Sequence, residues 1–261
     1  MLLACDIGNT NIVLGVYDEE QLGAHWRIQT NQDRMPDEYA VLLRQLFDYA
    51  GLPWSHVSDV IISSVVPPLT TTFVELSERY LSQHPLIVDA NTRTGVRVRT
   101  DNPAEVGADR IVNTAAVYHL YGGPAIVIDF GTATTFDVVS SSGDYLGGAI
   151  APGLSVSAEA LVSRTAKLPR IELVAPPRAI GTNTIAAMQA GLMYGYVGLV
   201  EGLVARLQDE LVAAGEGMPR VIATGGLAEL VAHETQVIEA VEPWLTLTGL
   251  RLIWKMIQGK G

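Results

Sequence analysis

The strongest constraint on the fold is a short phrase that occurs twice, 123 positions apart. The first copy is Asp6–Thr10 (DIGNT) and the second is Asp129–Thr134 (DFGTAT). Each copy follows an apolar run typical of a buried strand and precedes a second strand-like run, a turn and a third strand. Repeated supersecondary units indicate a duplicated architecture. We therefore predict two similar halves, each of which opens with three strands.

Each copy has the chemistry of an anion-binding turn. A tight Gly/Thr turn between strands points backbone N–H groups and hydroxyls into one concavity, which suits phosphate. An Asp at the end of the leading strand can hold a cation against the same phosphates. A single copy would be more typical of a plain hairpin, because Asp, Gly and Thr are common turn residues. Two copies in matching contexts favour phosphate binding, and the later Gly225-Gly226 turn offers another close backbone approach.

Composition narrows the class of protein. A chain of 261 residues with 48% hydrophobic content can bury two modest cores. The formal net charge of −11 argues against a nucleic-acid or anionic membrane partner. Cys5 is the one cysteine, so the sequence has no intramolecular disulfide and no Cys-based zinc site. The opening run does not resemble a signal peptide and no segment has the length of a membrane span, so we expect a cytoplasmic protein.

Helical and strand-like patterns alternate along the whole sequence, which predicts a mixed α/β fold. We predict a domain of residues 1–117 followed directly by one of residues 118–261. The predicted helices that bear on function are Glu105–Tyr121, Leu154–Ala166, Thr182–Ala214 and a last one at about Trp244–Gln258.

The duplicated halves, the two phosphate turns and the late Gly-Gly turn resemble the superfamily of acetate and sugar kinases, actin and heat-shock chaperone ATPases. The resemblance implies two duplicated ribonuclease H-like (actin-like ATPase) domains. Each would be a mixed sheet flanked by helices, with the nucleotide in the cleft between them.

A narrower resemblance comes from stretches that the duplication does not require. These are Glu105–Arg110 (EVGADR), Gly147–Leu154 (GGAIAPGL) and Gly181–Thr184 (GTNT). Together with the two phosphate turns, and in this order from Leu3 to about Ala228, they resemble a type III pantothenate kinase. The resemblance implies ATP-dependent phosphorylation of the primary hydroxyl of pantothenate to 4'-phosphopantothenate, the first step of coenzyme A biosynthesis.

The family resemblance also implies a substrate site. Asp109 matches the catalytic base, and the stretch Gly107, Ala108, Asp109 and Arg110 resembles the pantothenate-binding segment. A hydroxyl that attacks a γ-phosphoryl group needs orientation and a proton acceptor, and the Arg110 guanidinium could pair with the pantothenate carboxylate. Thr184 resembles a further substrate contact. By itself the Asp109-Arg110 pair is more typical of a helix-start carboxylate beside a surface arginine. The sequence has Thr100 where the family often has a pantothenate-contacting Tyr.

The nucleotide and ion sites follow from the same resemblance. The implied ATP-binding residues are Asp6, Ile7, Gly8, Asn9, Thr10, Asn11, Ile12, Val13, Thr132, Gly225 and Gly226. Asp129 matches the position that binds a monovalent cation, potassium or ammonium. Magnesium is implied by ATP chemistry and would be held largely by phosphate oxygens and water. Members of the family are homodimers.

Four glycines fall on one face of the longest predicted helix: Gly191, Gly195, Gly198 and Gly202. Each costs helix stability relative to Ala, so a plain solvated face is an unfavourable place for them. Charged residues on the same helix argue against a membrane span. We expect this face to pack closely on another helix, either within the domain or across a dimer axis.

Two alternative functions use the same scaffold. A nucleotide-binding regulatory accessory protein would bind nucleotide without turnover. A phosphohydrolase would release phosphate from ATP or polyphosphate with no requirement for pantothenate, because a fold does not fix a function.

Overall fold

The first three strands form an antiparallel meander, as their apolar pattern predicts. In the computed structural model, which describes residues 1–259, these strands are β1 (Leu2–Ile7), β2 (Asn11–Asp18) and β3 (Gln21–Gln29). β1 pairs with β2, and β2 with β3, in antiparallel register. The side chains of β1 and β2 alternate between two faces, both of which are covered, and most residues of these strands are therefore buried.

Two parallel strands extend the meander into a mixed sheet. β4 (Asp59–Ser64) lies parallel to β1, and β5 (Leu86–Ile87) lies parallel to β4, which gives the order β3-β2-β1-β4-β5. A parallel pair needs a crossover connection, and α1 (Pro36–Tyr49) and α2 (Pro67–Leu76) provide the helices of these connections. Aromatic and aliphatic side chains of both helices pack with the sheet into one core: Tyr39, Leu43, Phe47, Leu69, Phe73, Ile62, Leu14 and Ile7.

The second set of strands repeats this order. β7 (Ala125–Phe130), β8 (Ala133–Val139) and β9 (Asp144–Pro152) form the antiparallel meander. β10 (Arg220–Thr224) and β11 (Ala240–Val241) are added in parallel, so the strands follow β9-β8-β7-β10-β11. This is the order of the first sheet with each strand replaced by its counterpart. The predicted duplication is therefore confirmed at the level of topology.

The chain forms two compact units. One contains Met1–Ala116 and the C-terminal segment from Leu245 onward, and the other contains Val117–Trp244. The sequence division assigns the last helix, α7 (Leu245–Ile257), to the second half, whereas α7 packs on β1, β2 and β4 of the first unit. A side chain on Gly249 would meet the Val112 carbonyl oxygen at 2.6 Å, so this close helix approach depends on a glycine.

The remaining elements lie close to their predicted positions. The short strand β6 (Arg97–Val98) precedes α3 (Ala108–Tyr121), and the second unit contains α4 (Leu154–Ser163), α5 (Thr184–Ala213) and α6 (Ala228–Ala232). The helix predicted from Glu105 starts at Ala108, because Pro103–Glu105 forms a separate 3-10 turn. Within the described part of the chain, no helix is both long and apolar enough to cross a bilayer.

Among residues 1–259, no helix packs closely on the glycine face of α5. An added Cβ at Gly191, Gly195 or Gly198 would have no described atom within 4 Å, and at Gly202 it would meet the side chain of Arg206 at 3.3 Å. We expected this face to pack either on a helix of the same domain or across a dimer axis, and the first of these two expectations is wrong.

Candidate active site

Two hydrogen bonds at Gly8 fix the conformation of the first phosphate turn. The Gly8 N–H donates to the Asn11 carbonyl (3.0 Å), and the Thr30 hydroxyl, from the residue after β3, donates to the Gly8 carbonyl (2.6 Å). Asn9 and Thr10 have exposed side chains at the tip of the turn. Thr30 was not among the predicted site residues, because a single Thr at the end of a strand is ordinary.

The predicted ATP-binding residues of this turn fall into two groups. The Asn9, Thr10 and Asn11 side chains are exposed and can reach a ligand. Ile7 and Ile12 have fully buried side chains in the core of the first unit, so only their backbone groups can take part. Asp6 and Val13 are half-buried and face each other across β1 and β2.

The end of β4 lies beside the end of β1. Asp6 is in parallel register with Ser63, and Val65, just beyond β4, lies against the segment that precedes α3. A Cβ on Gly107 would meet the Val65 Cγ1 atom at 3.3 Å. The carboxyl ends of parallel strands are where α/β folds usually bind ligands.

Asp109 is held at the first turn of α3. Its Oδ1 atom accepts from the Arg110 backbone N–H at 2.8 Å. The Gly107 carbonyl accepts from the N–H groups of Arg110 (3.1 Å) and Ile111 (3.2 Å), so Gly107 occupies the helix N-cap. An added Cβ at Gly107 would lie 2.5 Å from Asp109 Oδ1, so the carboxylate occupies space that is free only because residue 107 is a glycine.

Burial sets the acidity of Asp109. Removal from water raises the pKa of this carboxyl above its usual value, and the backbone bond and the positive charge of Arg110 offset only part of that rise. A carboxylate with a raised pKa is a better proton acceptor than an exposed one. Its neighbour Ala108 has a buried side chain, which leaves only backbone groups for a ligand.

Thr100 precedes this segment and has an unusual hydroxyl. Its Oγ1 atom is buried and has no hydrogen-bond partner among residues 1–259. Buried hydroxyls are normally bonded, so the unpaired Thr100 hydroxyl is an exception to the usual pattern.

The second phosphate turn, Gly131–Ala133, joins β7 to β8 in the second unit. The Gly131 N–H donates to the Ala133 carbonyl (3.2 Å), and the Gly153 N–H donates to the Thr132 carbonyl (3.1 Å). All three turn residues are exposed, whereas the next residue, Thr134, is fully buried. The turn therefore presents Thr132 while its flank is anchored in the core.

Asp129 and the Gly-Gly turn come together at the end of β7. Thr224 of β10 pairs in parallel register with Asp129, which brings Gly225 beside it. Gly225 has a φ of +95°, and a Cβ there would lie 2.6 Å from Asp129 Oδ1 and 2.7 Å from the Phe130 carbonyl oxygen. Only glycine allows this approach of backbone to carboxylate.

Two oxygen ligands lie near Gly225. The Asp129 carboxylate and the Phe130 carbonyl would both contact a Cβ added there, and both are hard ligands of the kind that bind alkali and alkaline-earth cations. Across residues 1–259, no three His, Cys, Asp or Glu side chains are grouped as metal ligands.

Thr184 is the first residue of α5 and is exposed. The helix is capped by the preceding Asn183, whose Oδ1 accepts from the Ala186 N–H at 2.9 Å, so Thr184 is not needed as the cap. Thr184 lines a groove of about 530 Å³ with apolar neighbours: Leu161, Leu168, Ala187, Met188, Gly191 and Leu192. A second groove, of about 440 Å³ along α1, contains none of the predicted site residues.

The repeated strand order is that of the actin-like ATPase and sugar-kinase fold, which here carries an exposed Gly/Thr turn in each copy and a largely desolvated carboxylate at a helix start. Residues 2–206 match the sequence model of the family described as type III pantothenate kinase. The chain belongs to the type III pantothenate kinase family.

Individual relatives agree over nearly the whole length. A type III pantothenate kinase from Roseiflexus castenholzii is 57% identical over 256 residues, covering 98% of this chain and 99% of the relative. One from Moorella thermoacetica is 53% identical over 255 residues, with coverage of 98% and 99%. A solved Campylobacter jejuni structure, assigned to the Baf family of transcriptional activators, has a TM-score of 0.61 at 18% identity and coverage of 98% and 99%. At that identity the likeness shows the fold.

Proposed function

We propose that this chain transfers the γ-phosphoryl group of ATP to the primary hydroxyl of pantothenate, with Asp109 as the base. Membership of the type III pantothenate kinase family supports the reaction. The assignment of Asp109 rests on the environment of its carboxylate. Desolvation raises the pKa of this group, and the group lies at the start of α3 in space that the absence of a side chain at Gly107 leaves free.

The transfer requires one proton movement. The pantothenate hydroxyl oxygen forms a bond to the γ-phosphorus while the bond from that phosphorus to the ADP oxygen breaks. Asp109 accepts the hydroxyl proton, and ADP leaves with the electron pair of the broken bond. Arg110, permanently charged, pairs with the pantothenate carboxylate, and the contact that a Tyr often makes in the family is missing at Thr100 or supplied elsewhere.

The two glycine-rich turns are assigned to ATP. Thr10 and Thr132 are exposed and supply hydroxyls to phosphate oxygens, while the backbone from Asp6 to Val13 and the Gly225-Gly226 turn allow close approach. Magnesium bound to ATP supplies charge neutralisation at the phosphates. Asp129 and the neighbouring carbonyls hold a potassium or ammonium ion, which adds positive charge to a chain whose net charge is −11.

We also propose that the active form is a homodimer with α5 at its axis. The exposed positions of this helix include the small residues Ala187, Gly191, Gly195, Gly198 and Ala205. A Cβ added to any of these three glycines would have no described atom within 4 Å. Glycine costs about 1 kcal/mol relative to Ala in a helix, a cost that close helix–helix packing would offset.

The reaction is assigned to the cytoplasm. Its phosphoryl donor is ATP, and the one cysteine, Cys5, is a buried free thiol rather than half of a disulfide.

The test is a coupled assay of ADP release, with and without pantothenate and with and without potassium. The proposal expects ADP release only with pantothenate, and a phosphorylated product of matching mass. Phosphate release that ignores pantothenate would instead identify a phosphohydrolase. Nucleotide binding without turnover under any of these conditions would identify a regulatory protein.

A further inference from the structure

Tyr196 of α5 reaches the second phosphate turn. Its hydroxyl shares a hydrogen bond with the Thr134 hydroxyl, and the Leu154 backbone N–H donates to the same Tyr196 oxygen. The Tyr196 ring packs on Phe130, the last residue of β7, with the ring centroids 6.1 Å apart. Tyr196 thus contacts residues on both sides of the exposed turn Gly131–Ala133.

These contacts are buried, so water does not replace them. Thr134 is fully buried and Tyr196 is 6% exposed. Burial also raises the pKa of Tyr196, although both hydrogen bonds oppose that rise, so the hydroxyl stays protonated and can donate. A buried donor or acceptor that loses its partner keeps the full cost of desolvation.

The segment on the other side of the turn is equally restrained. The Gly153 N–H bonds the Thr132 carbonyl, and an added Cβ on Gly153 would collide with the carbonyl oxygens of Thr132 and Gly131. Leu154, the next residue, begins α4 and is tied to Tyr196. One hydroxyl therefore joins the strand that leaves the turn to the helix start that packs against it.

We propose that Tyr196 is a positioning residue, whose hydroxyl fixes the turn Gly131–Ala133 in the geometry that binds the phosphates of ATP. The inference rests on the proposed kinase function, in which Thr132 contacts phosphate. Tyr196 itself acts through Thr134 and Leu154.

The variant Tyr196→Phe keeps the ring and removes the hydroxyl. The chain supplies a matched control in Tyr194→Phe, because Tyr194 lies on the same helix and its hydroxyl donates to the Pro176 carbonyl, away from the turn. Tyr196→Phe should raise the KM for ATP and the Kd for a non-hydrolysable ATP analogue about fivefold to tenfold. Its KM for pantothenate should change less than twofold. Tyr194→Phe should leave both ATP values within twofold of wild type.

A second pair of variants tests the same bond from the other side and serves if Tyr196→Phe does not fold. Thr134→Val should weaken ATP binding to a similar extent, and Thr134→Ser, which restores a hydroxyl, should recover most of the affinity. In the double variant Tyr196→Phe/Thr134→Val, the loss should be smaller than the sum of the single losses.

Calorimetric binding of the ATP analogue separates this inference from the proposed function, since it needs no turnover. If wild type bound ATP but did not phosphorylate pantothenate, the kinase proposal would fail while the role of Tyr196 was still measured. Wild-type ATP affinity in Tyr196→Phe, or equal weakening in the Tyr196 and Tyr194 variants, would overturn the positioning role. So would Thr134→Ser binding ATP no better than Thr134→Val.

Discussion

Gly107→Ala tests whether the position of the Asp109 carboxylate matters, because it alters that position without removing any functional group. The new Cβ would lie 2.5 Å from Asp109 Oδ1, whereas ordinary contacts begin near 3.4 Å, so the carboxylate must move by about 0.9 Å. A misplacement of about 1 Å at a reacting group can cost about 100-fold in rate. We expect kcat to fall by about that factor.

The effect on stability should be small by comparison. Asp109 Oδ1 is the end of a short side chain, so it can rotate away at the cost of its bond to the Arg110 N–H. Losing this bond, together with replacing glycine by alanine at the helix N-cap, costs about 1–2 kcal/mol of unfolding free energy. In a chain of this size, that corresponds to roughly 2–8 °C in the melting temperature.

The assay is ADP release at saturating ATP and pantothenate, beside thermal unfolding of the same samples. Gly23→Ala is the matched control in the same unit, because its Cβ would meet its nearest neighbour, the Val16 carbonyl, at an ordinary 3.7 Å. In an Asp109→Asn background, Gly107→Ala should cost almost nothing further, since the base is already absent. A folded Gly107→Ala protein with wild-type kcat would refute the reasoning, as would full additivity with Asp109→Asn.

Three further outcomes are expected. Asp109→Asn should lower turnover about 10²- to 10⁴-fold. Burial raises the pKa of Asp109, so the wild-type protein loses folding stability as pH rises from the ordinary carboxyl range through that raised pKa. The variant should therefore have a higher melting temperature than wild type at pH 7, and this difference should disappear toward pH 4. Turnover should be faster in potassium or ammonium chloride than in sodium chloride at equal ionic strength, and Asp129→Asn should abolish the difference; equal wild-type rates in all three salts would exclude a specific cation site. Gly198→Leu should shift sedimentation toward monomer. Gly198→Ala makes no clash within the subunit, so it should lower stability only if a partner helix packs there. A gain of about 0.5–1 kcal/mol in the free energy of unfolding, with the dimer intact, would show that this face is free.

Local patterns predicted most of the secondary structure and the duplication. The three opening strands of each half were predictable because both halves carry the same apolar run, turn and return strand, and the order of the remaining strands was not predicted. Helix starts were less accurate. α3 begins at Ala108 rather than Glu105, because Pro103 favours a short turn and Gly107 forms the actual cap.

Contacts between distant segments were not predictable from one sequence. Nothing near Tyr196 or Thr134 signals that they meet, since each is an ordinary residue of its own helix or strand. The same holds for α7, whose apolar face has helical spacing but no feature that selects the first unit as its partner. The fit of Gly107 against Asp109 depends on a side-chain rotamer, which spacing alone does not determine.

The return of α7 to the first unit has a consequence for folding during synthesis. Residues 1–116 leave the ribosome long before Leu245–Ile257, and without α7 they lack the buried side chains of Leu245, Leu247, Leu250 and Ile253. The segment from Val117 to Trp244, by contrast, is continuous and can complete its core as soon as it has emerged. We therefore expect the first unit to complete its core only after α7 has been made, whereas the second unit needs no segment from outside Val117–Trp244. A released chain that ends at Trp244 should accordingly be cut by protease within its first 116 residues and resist cutting beyond them.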